Sequence, residues 1–245
     1  MSLRITFITA GRILRQLLGD RRTVVLILAV PSLMIALISA IMDAAPEAFN
    51  SVGLILLAFF PFMMMFMITS ITLLRERTGG TLERLMTTPT GKLDLVGGYA
   101  IAFGVAAASQ TVIAAAIAYL FLGLETAGPA WAVFLIAIIA SLFGMALGLF
   151  VSAFATTEFQ AIQFMPVFVV PQLLLCGLIW PRDQMAGWLQ GVSDALPVTY
   201  AVKALNEVQF NTEITSEMWV DVAIVAAAAL VATALGAATL RRRTD

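Results

Sequence analysis

The chain has 245 residues, 61% hydrophobic and 12% charged, with a net charge of −1. Soluble domains run at about 45–50% apolar and about 25% charged. These proportions therefore exclude a soluble globular core and require the bilayer as a second apolar solvent. Histidine is absent and there is one cysteine, Cys176. That removes the usual general base near neutral pH, the commonest zinc ligand, any intrachain disulfide and any cysteine-based metal cluster. Cys176 reads as a small apolar residue in a helix.

Taken in chain order, residues 3–18 repeat Leu3, Phe7, Ala10, Leu14, Leu17 and Leu18 at helical spacing, with Arg4, Arg12 and Arg15 off that stripe. A short basic amphipathic helix ahead of a span is expected to lie in the membrane interface. Six apolar runs follow, at about Thr23–Met42, Val52–Leu74, Leu95–Leu122, Trp131–Ala155, Ile162–Trp180 and Trp219–Leu240. Each is long enough to cross a hydrocarbon layer of about 30 Å as a helix. The first is longer than the roughly 7–15 apolar residues of a signal peptide, so it reads as an uncleaved span. Pro166 and Pro171 each remove a backbone donor from span five and favour a kink. Residues 181–218 are too apolar for an aqueous loop, and Pro181 and Pro197 punctuate them. They read as one or two short helices dipping into the outer leaflet, which is permitted where protein covers the backbone.

Charge placement orients the chain. Twelve of the 14 basic residues precede span one, follow span six or lie between spans two and three. Arg182 and Lys203 are the exceptions, on the side that carries the acidic residues Asp43, Glu47, Glu125, Asp183, Asp194, Glu207, Glu213, Glu217 and Asp221. The positive-inside rule then puts both termini in the cytoplasm, and the even number of spans agrees. The spans carry almost no ionisable groups, which argues against a proton relay, an ion-coupled transporter and an intramembrane protease. No catalytic set, metal cluster or nucleotide-binding loop is present. The nearest approach to such a loop, Gly91-Lys92, lacks the upstream glycine and is followed by Leu93.

The loop Arg75-Glu76-Arg77-Thr78-Gly79-Gly80-Thr81-Leu82-Glu83-Arg84-Leu85-Met86-Thr87-Thr88-Pro89 carries its own short helix. Gly79-Gly80 permit a sharp break, Thr81 is an N-cap, Glu83 complements the helix dipole and Pro89 stops the helix. Leu82, Leu85 and Met86 form an apolar ridge that suits either a groove on a partner or an interfacial position without one. In span two, Phe62, Met63, Met65 and Phe66 belong to a dense Met/Phe cluster that suits either a path for lipophilic cargo or ordinary helix packing. Gly144 and Gly148 permit close helix approach, expected within the chain. Trp180, Trp188 and Tyr200 read either as an outer gate or as interfacial anchors.

The 75–89 loop resembles the cytoplasmic motif of ABC transporter permease subunits of the type-2 exporter class, through Glu76, Gly80, Thr81, Glu83, Leu85 and Pro89. A second stretch is similar to the family's segment between spans five and six. It comprises Trp180-Pro181, Trp188-Leu189-Gln190, Leu196-Pro197-Val198-Thr199-Tyr200-Ala201-Val202 and Ala204-Leu205, with Asn206 where the family often has a basic residue. The resemblance implies an all-α membrane protein with six spans, an interfacial helix, a cytoplasmic coupling helix after span two and an outer re-entrant helical segment. Residues 1–245 would form a single transmembrane permease domain in the inner (plasma) membrane. It also implies partners: two ABC ATPase subunits carrying ATP and Mg, and a second copy of this chain or a paralogous permease, in membrane lipid and without nucleic acid. Glu76, Thr81, Leu82, Glu83, Arg84, Leu85 and Met86 would couple to the ATPase, and no cofactor would bind this chain. The expected cargo is hydrophobic or amphipathic, a drug or lipid. The alternatives are a polysaccharide exporter of the same architecture and a non-transporting membrane anchor.

Overall fold

Backbone polar groups in lipid must be satisfied within the segment that carries them, so long apolar runs fold as helices. The computed structural model, which describes residues 2–80 and 91–239, is all-α, with no strand among the described residues. The elements are α1 (Leu3–Gly19), α2 (Arg21–Ile41), α3 (Pro46–Thr78), α4 (Lys92–Phe121), α5 (Ala130–Val151), α6 (Glu158–Phe168), α7 (Val170–Leu175), a 3-10 turn (Arg182–Gln184), α8 (Gly187–Asp194), α9 (Pro197–Phe210) and α10 (Ser216–Thr239). Six stretches are long and apolar enough to cross a membrane: α2, α3, α4, α5, the α6–α7 pair and α10.

The long central helices are α3 and α5, which pack against each other along most of their lengths. Two glycines set that contact. A Cβ on Gly144 would collide with the Phe62 carbonyl, and one on Gly148 with the Phe66 carbonyl. Small residues let two backbones approach where lipid supplies no hydrophobic drive. The small-residue pair thus packs within the chain, and α10 closes on the other side of α5, where Gly236 meets Leu149.

Three elements depart from the sequence reading. The helix of span two runs on to Thr78, so Arg75, Glu76 and Arg77 belong to its last turn and not to a loop. It ends where expected: the Gly79 amide donates to the Arg75 carbonyl at 2.9 Å, and Gly80 takes φ +68, a conformation glycine adopts without a Cβ penalty. Span five starts earlier, at Glu158, and ends at Leu175, short of Trp180. Thr157 caps its start and Val169, just ahead of Val170-Pro171, breaks it into α6 and α7. The apolar stripe of α1 is also only partly packed: Ala10, Leu14 and Leu17 of the stripe meet the core. Thr6, Thr9, Ala10 and Ile13 are buried, while Leu3, Phe7 and Leu18 stay exposed. The cause is a close crossing over α4, where a Cβ on Gly98 would lie 2.6 Å from the Thr9 methyl.

Candidate functional site at the basic end of the bundle

Side-chain contacts gather the start of α1, the end of α3, the start of α4, the start of α6 and the end of α10 at one end of the bundle. Consecutive residues on a helix point about 100° apart. Arg75, Glu76 and Arg77 therefore reach three different neighbours. The Arg75 guanidinium donates through Nε and Nη2 to both Glu158 oxygens of α6, at 2.7 and 2.9 Å. Glu76 is 3% exposed. Its carboxylate accepts from Arg12 Nη2 of α1 at 3.1 Å and from the hydroxyl of Tyr99 on α4, itself fully buried. Arg77 Nη2 donates to the Thr239 hydroxyl of α10 at 3.2 Å.

The far side of the 81–90 stretch is tied as well. Asp94, in the first turn of α4, accepts from the Gly91 amide at 3.1 Å and so caps its own helix. Its other oxygen accepts from the Ser2 amide at 2.7 Å and the Thr6 hydroxyl at 3.4 Å, so one buried carboxylate holds the first turns of two helices.

Thr81, Leu82, Glu83, Arg84, Leu85 and Met86 lie outside the described residues. Glu76 does not join them on an exposed surface, because its carboxylate is spent inside the chain on Arg12 and Tyr99. Phe62, Met65 and Phe66 line no opening. All three are fully buried and Met63 is half-buried, with Phe62 stacked on Phe143 of α5 at a 5.7 Å centroid separation. Trp180 and Trp188 are 56% and 72% exposed and take part in no ring pair among the described residues. Tyr200 is elsewhere engaged: its hydroxyl donates to the Asp194 carbonyl at 2.8 Å, with Lys203 4.8 Å from its ring centroid. The two basic residues of this opposite end, Arg182 and Lys203, both meet the Asp194 carboxylate.

Sequence reasoning did not find Arg12, Tyr99, Asp94 or Glu158 as partners. Their separations of 64, 23, 92 and 83 residues leave no local pattern to read.

The ABC-2 type transporter family matches residues 5–210, most of the chain. The chain belongs to the ABC-2 type transporter family. This ABC-2 chain is 26% identical over 69% of its length to the linearmycin resistance permease protein LnrN of Bacillus subtilis, covering 44% of that protein. It is 26% identical over 62% of its length to the probable multidrug ABC transporter permease YbhR of Escherichia coli, covering 41% of it. It is 27% identical over 59% of its length to ABC transporter G family member 20 of Dictyostelium discoideum, covering 20% of that protein. The matched stretches therefore span less than half of each of these relatives. Family and helix pattern together make this a multi-pass membrane permease of an ABC transporter.

Proposed function

We propose that this permease serves an ATP-driven exporter that moves a hydrophobic or amphipathic molecule, a drug or lipid, out of the cytoplasm. ATP and Mg would sit on two separate ATPase subunits, and a second copy of this chain or a paralogous permease would complete the path. Residues 1–245 act as one permease domain. One observation carries the reading. The last turn of α3, clamped to α1, α4, α6 and α10, leads at Gly80 into the stretch that bears the family's motif. A push on residues 81–88 then reaches four other helices as rigid-body movement and is not lost in a slack connector. No catalytic set in this chain is needed, because the partner hydrolyses ATP.

The basic end faces the cytoplasm of an inner (plasma) membrane protein, by the positive-inside rule. The exposed Leu3, Phe7 and Leu18 of α1 would then lie in the inner interface beside Arg4 and Arg15. Trp180 and Trp188 would meet the outer headgroups, with α8 and α9 as the outer helical segment. The cargo class rests on spans nearly free of charge and on relatives named for linearmycin resistance and multidrug transport. Because Phe62, Met65 and Phe66 pack inside the chain, the path is assigned to the exposed faces of α2, α6 and α10.

The test is reconstitution with a partner ABC ATPase subunit. Glu83→Ala and Leu85→Asp are expected to abolish transport and ATPase stimulation while the protein stays inserted. Wild-type values in both variants reject the coupling role of residues 81–88.

A further inference from the structure

Between α1, α2 and α3, at the basic end, lies a half-open cavity of about 330 Å³. Along α3 it runs from Arg75 through Ile71 and Ile68 to Met64, one face of the helix over about three turns. At about 1.5 Å per residue that wall is about 16 Å long, so the mean cross-section is about 20 Å², room for one extended alkyl chain. Leu26 and Ile27 of α2 and Ile13 and Leu17 of α1 supply the other apolar walls. Because α2 and α3 are antiparallel, Thr72 and Arg75 share an end with Thr23 and Asp20, and that end is the polar mouth.

An alkyl tail leaving lipid for this slot gains almost nothing, since lipid tails are as apolar as Leu, Ile and Met. The head therefore selects the occupant. Of the two charged groups at the mouth, Arg75 is already held by Glu158 through two hydrogen bonds. Asp20 bonds only Thr23 and enters no ion pair among the described residues. Among the described residues each of its oxygens therefore keeps a free lone pair. Arg21 and Arg22 are exposed and do not line the slot. We infer that the slot binds a single-chain cationic amphiphile, with its tail along α3 and its ammonium on the Asp20 carboxylate. This rests on the chain lying in a bilayer and not on the coupling role of residues 81–88.

The experiment uses the full chain in phosphatidylcholine nanodiscs and three probes with a photoreactive tail: an alkylamine, the matched alkyl phosphate and the matched alcohol. The amine is expected to label the 64–71 stretch of α3 most strongly. Asp20→Asn, which keeps an N-cap on α2, should cut amine labelling about fivefold, the loss of one partly screened charge pair. Met67→Trp should block the slot to all three probes. Equal amine labelling of wild type and Asp20→Asn overturns the inference. So does strongest labelling by the phosphate, which would make the occupant an anionic lipid, or absence of label from that stretch. No ATPase or transport is needed, so failure of the slot and failure of the exporter reading are separate results.

Discussion

Arg12 donates to Glu76 across 3.1 Å, joining the first helix to the last turn of α3 at a carboxylate that is almost wholly buried. Removing one partner of a buried pair costs far more than the pair contributes, because the other is left uncompensated. Glu76→Ala also strands the buried Tyr99 hydroxyl. We expect it to destabilise the fold by about 3 kcal/mol, read by unfolding in mixed micelles. Arg75→Ala breaks an exposed pair and should cost less than about 1 kcal/mol. A double-mutant cycle on Arg12 and Glu76 should return a coupling of about 1–3 kcal/mol. Additive single effects would show that the two side chains act independently.

Gly148→Ala places a Cβ against the Phe66 carbonyl in the α3–α5 seam. Overpacking of this kind costs about 1–3 kcal/mol, and the same change at Gly11, whose Cβ would meet only the end of the Arg15 side chain at 3.8 Å, should cost less. Limited proteolysis of the inserted protein reads the difference. Equal resistance of the two variants would mean that α3 and α5 can part without loss.

Orientation has a direct check. Cys176 is the single cysteine and is buried, so it contributes little background even before removal. Asp194 is half-exposed at the acidic end. Asp194→Cys in a Cys176→Ser background should react with an impermeant thiol reagent in intact cells. Reaction only after lysis would place the acidic end in the cytoplasm.

Asp20 caps α2, and its hydrogen bonds from the Thr23 hydroxyl and then the Thr23 amide hold its carboxyl below the ordinary aspartate range. A folded-state pKa below the unfolded value adds stability that is complete above the unfolded pKa, about 3.9, and is lost as pH falls through the folded one. Wild type should therefore unfold at a higher temperature than Asp20→Ala at neutral pH, and the gap should close under acid. A gap independent of pH would show that the carboxylate charge adds nothing.

The six spans were legible because length and hydropathy suffice to mark a helix that crosses lipid. What each span faces was not. The most apolar window of α3 is 78% buried and that of α2 is 22% buried, though both read as plain apolar runs. Lipid and a neighbouring helix are equally apolar surroundings, so the Met/Phe cluster at 62–67 looked the same as a path or as packing until Gly144 and Gly148 were found against it. The helical continuation through Arg75-Glu76-Arg77 was hidden for the opposite reason. Three charges in a row mark a loop locally, and the partners that engage them, with Glu76 alone of the three buried, lie on other elements. The Gly79-Gly80 break, by contrast, is legible in the sequence, because it depends only on backbone freedom.

At 33 residues, α3 is a rod about 50 Å long, well beyond the thickness of the hydrocarbon layer. Its far end is seated in a second set of contacts, where Gln209 donates to Ser51 at 2.7 Å and Asn50 accepts from the Glu125 amide at 3.0 Å. Such a rod is a lever arm with a socket at each end. A tilt of about 5° at the basic end carries the opposite tip about 4 Å, enough to unseat those two hydrogen bonds without bending the helix.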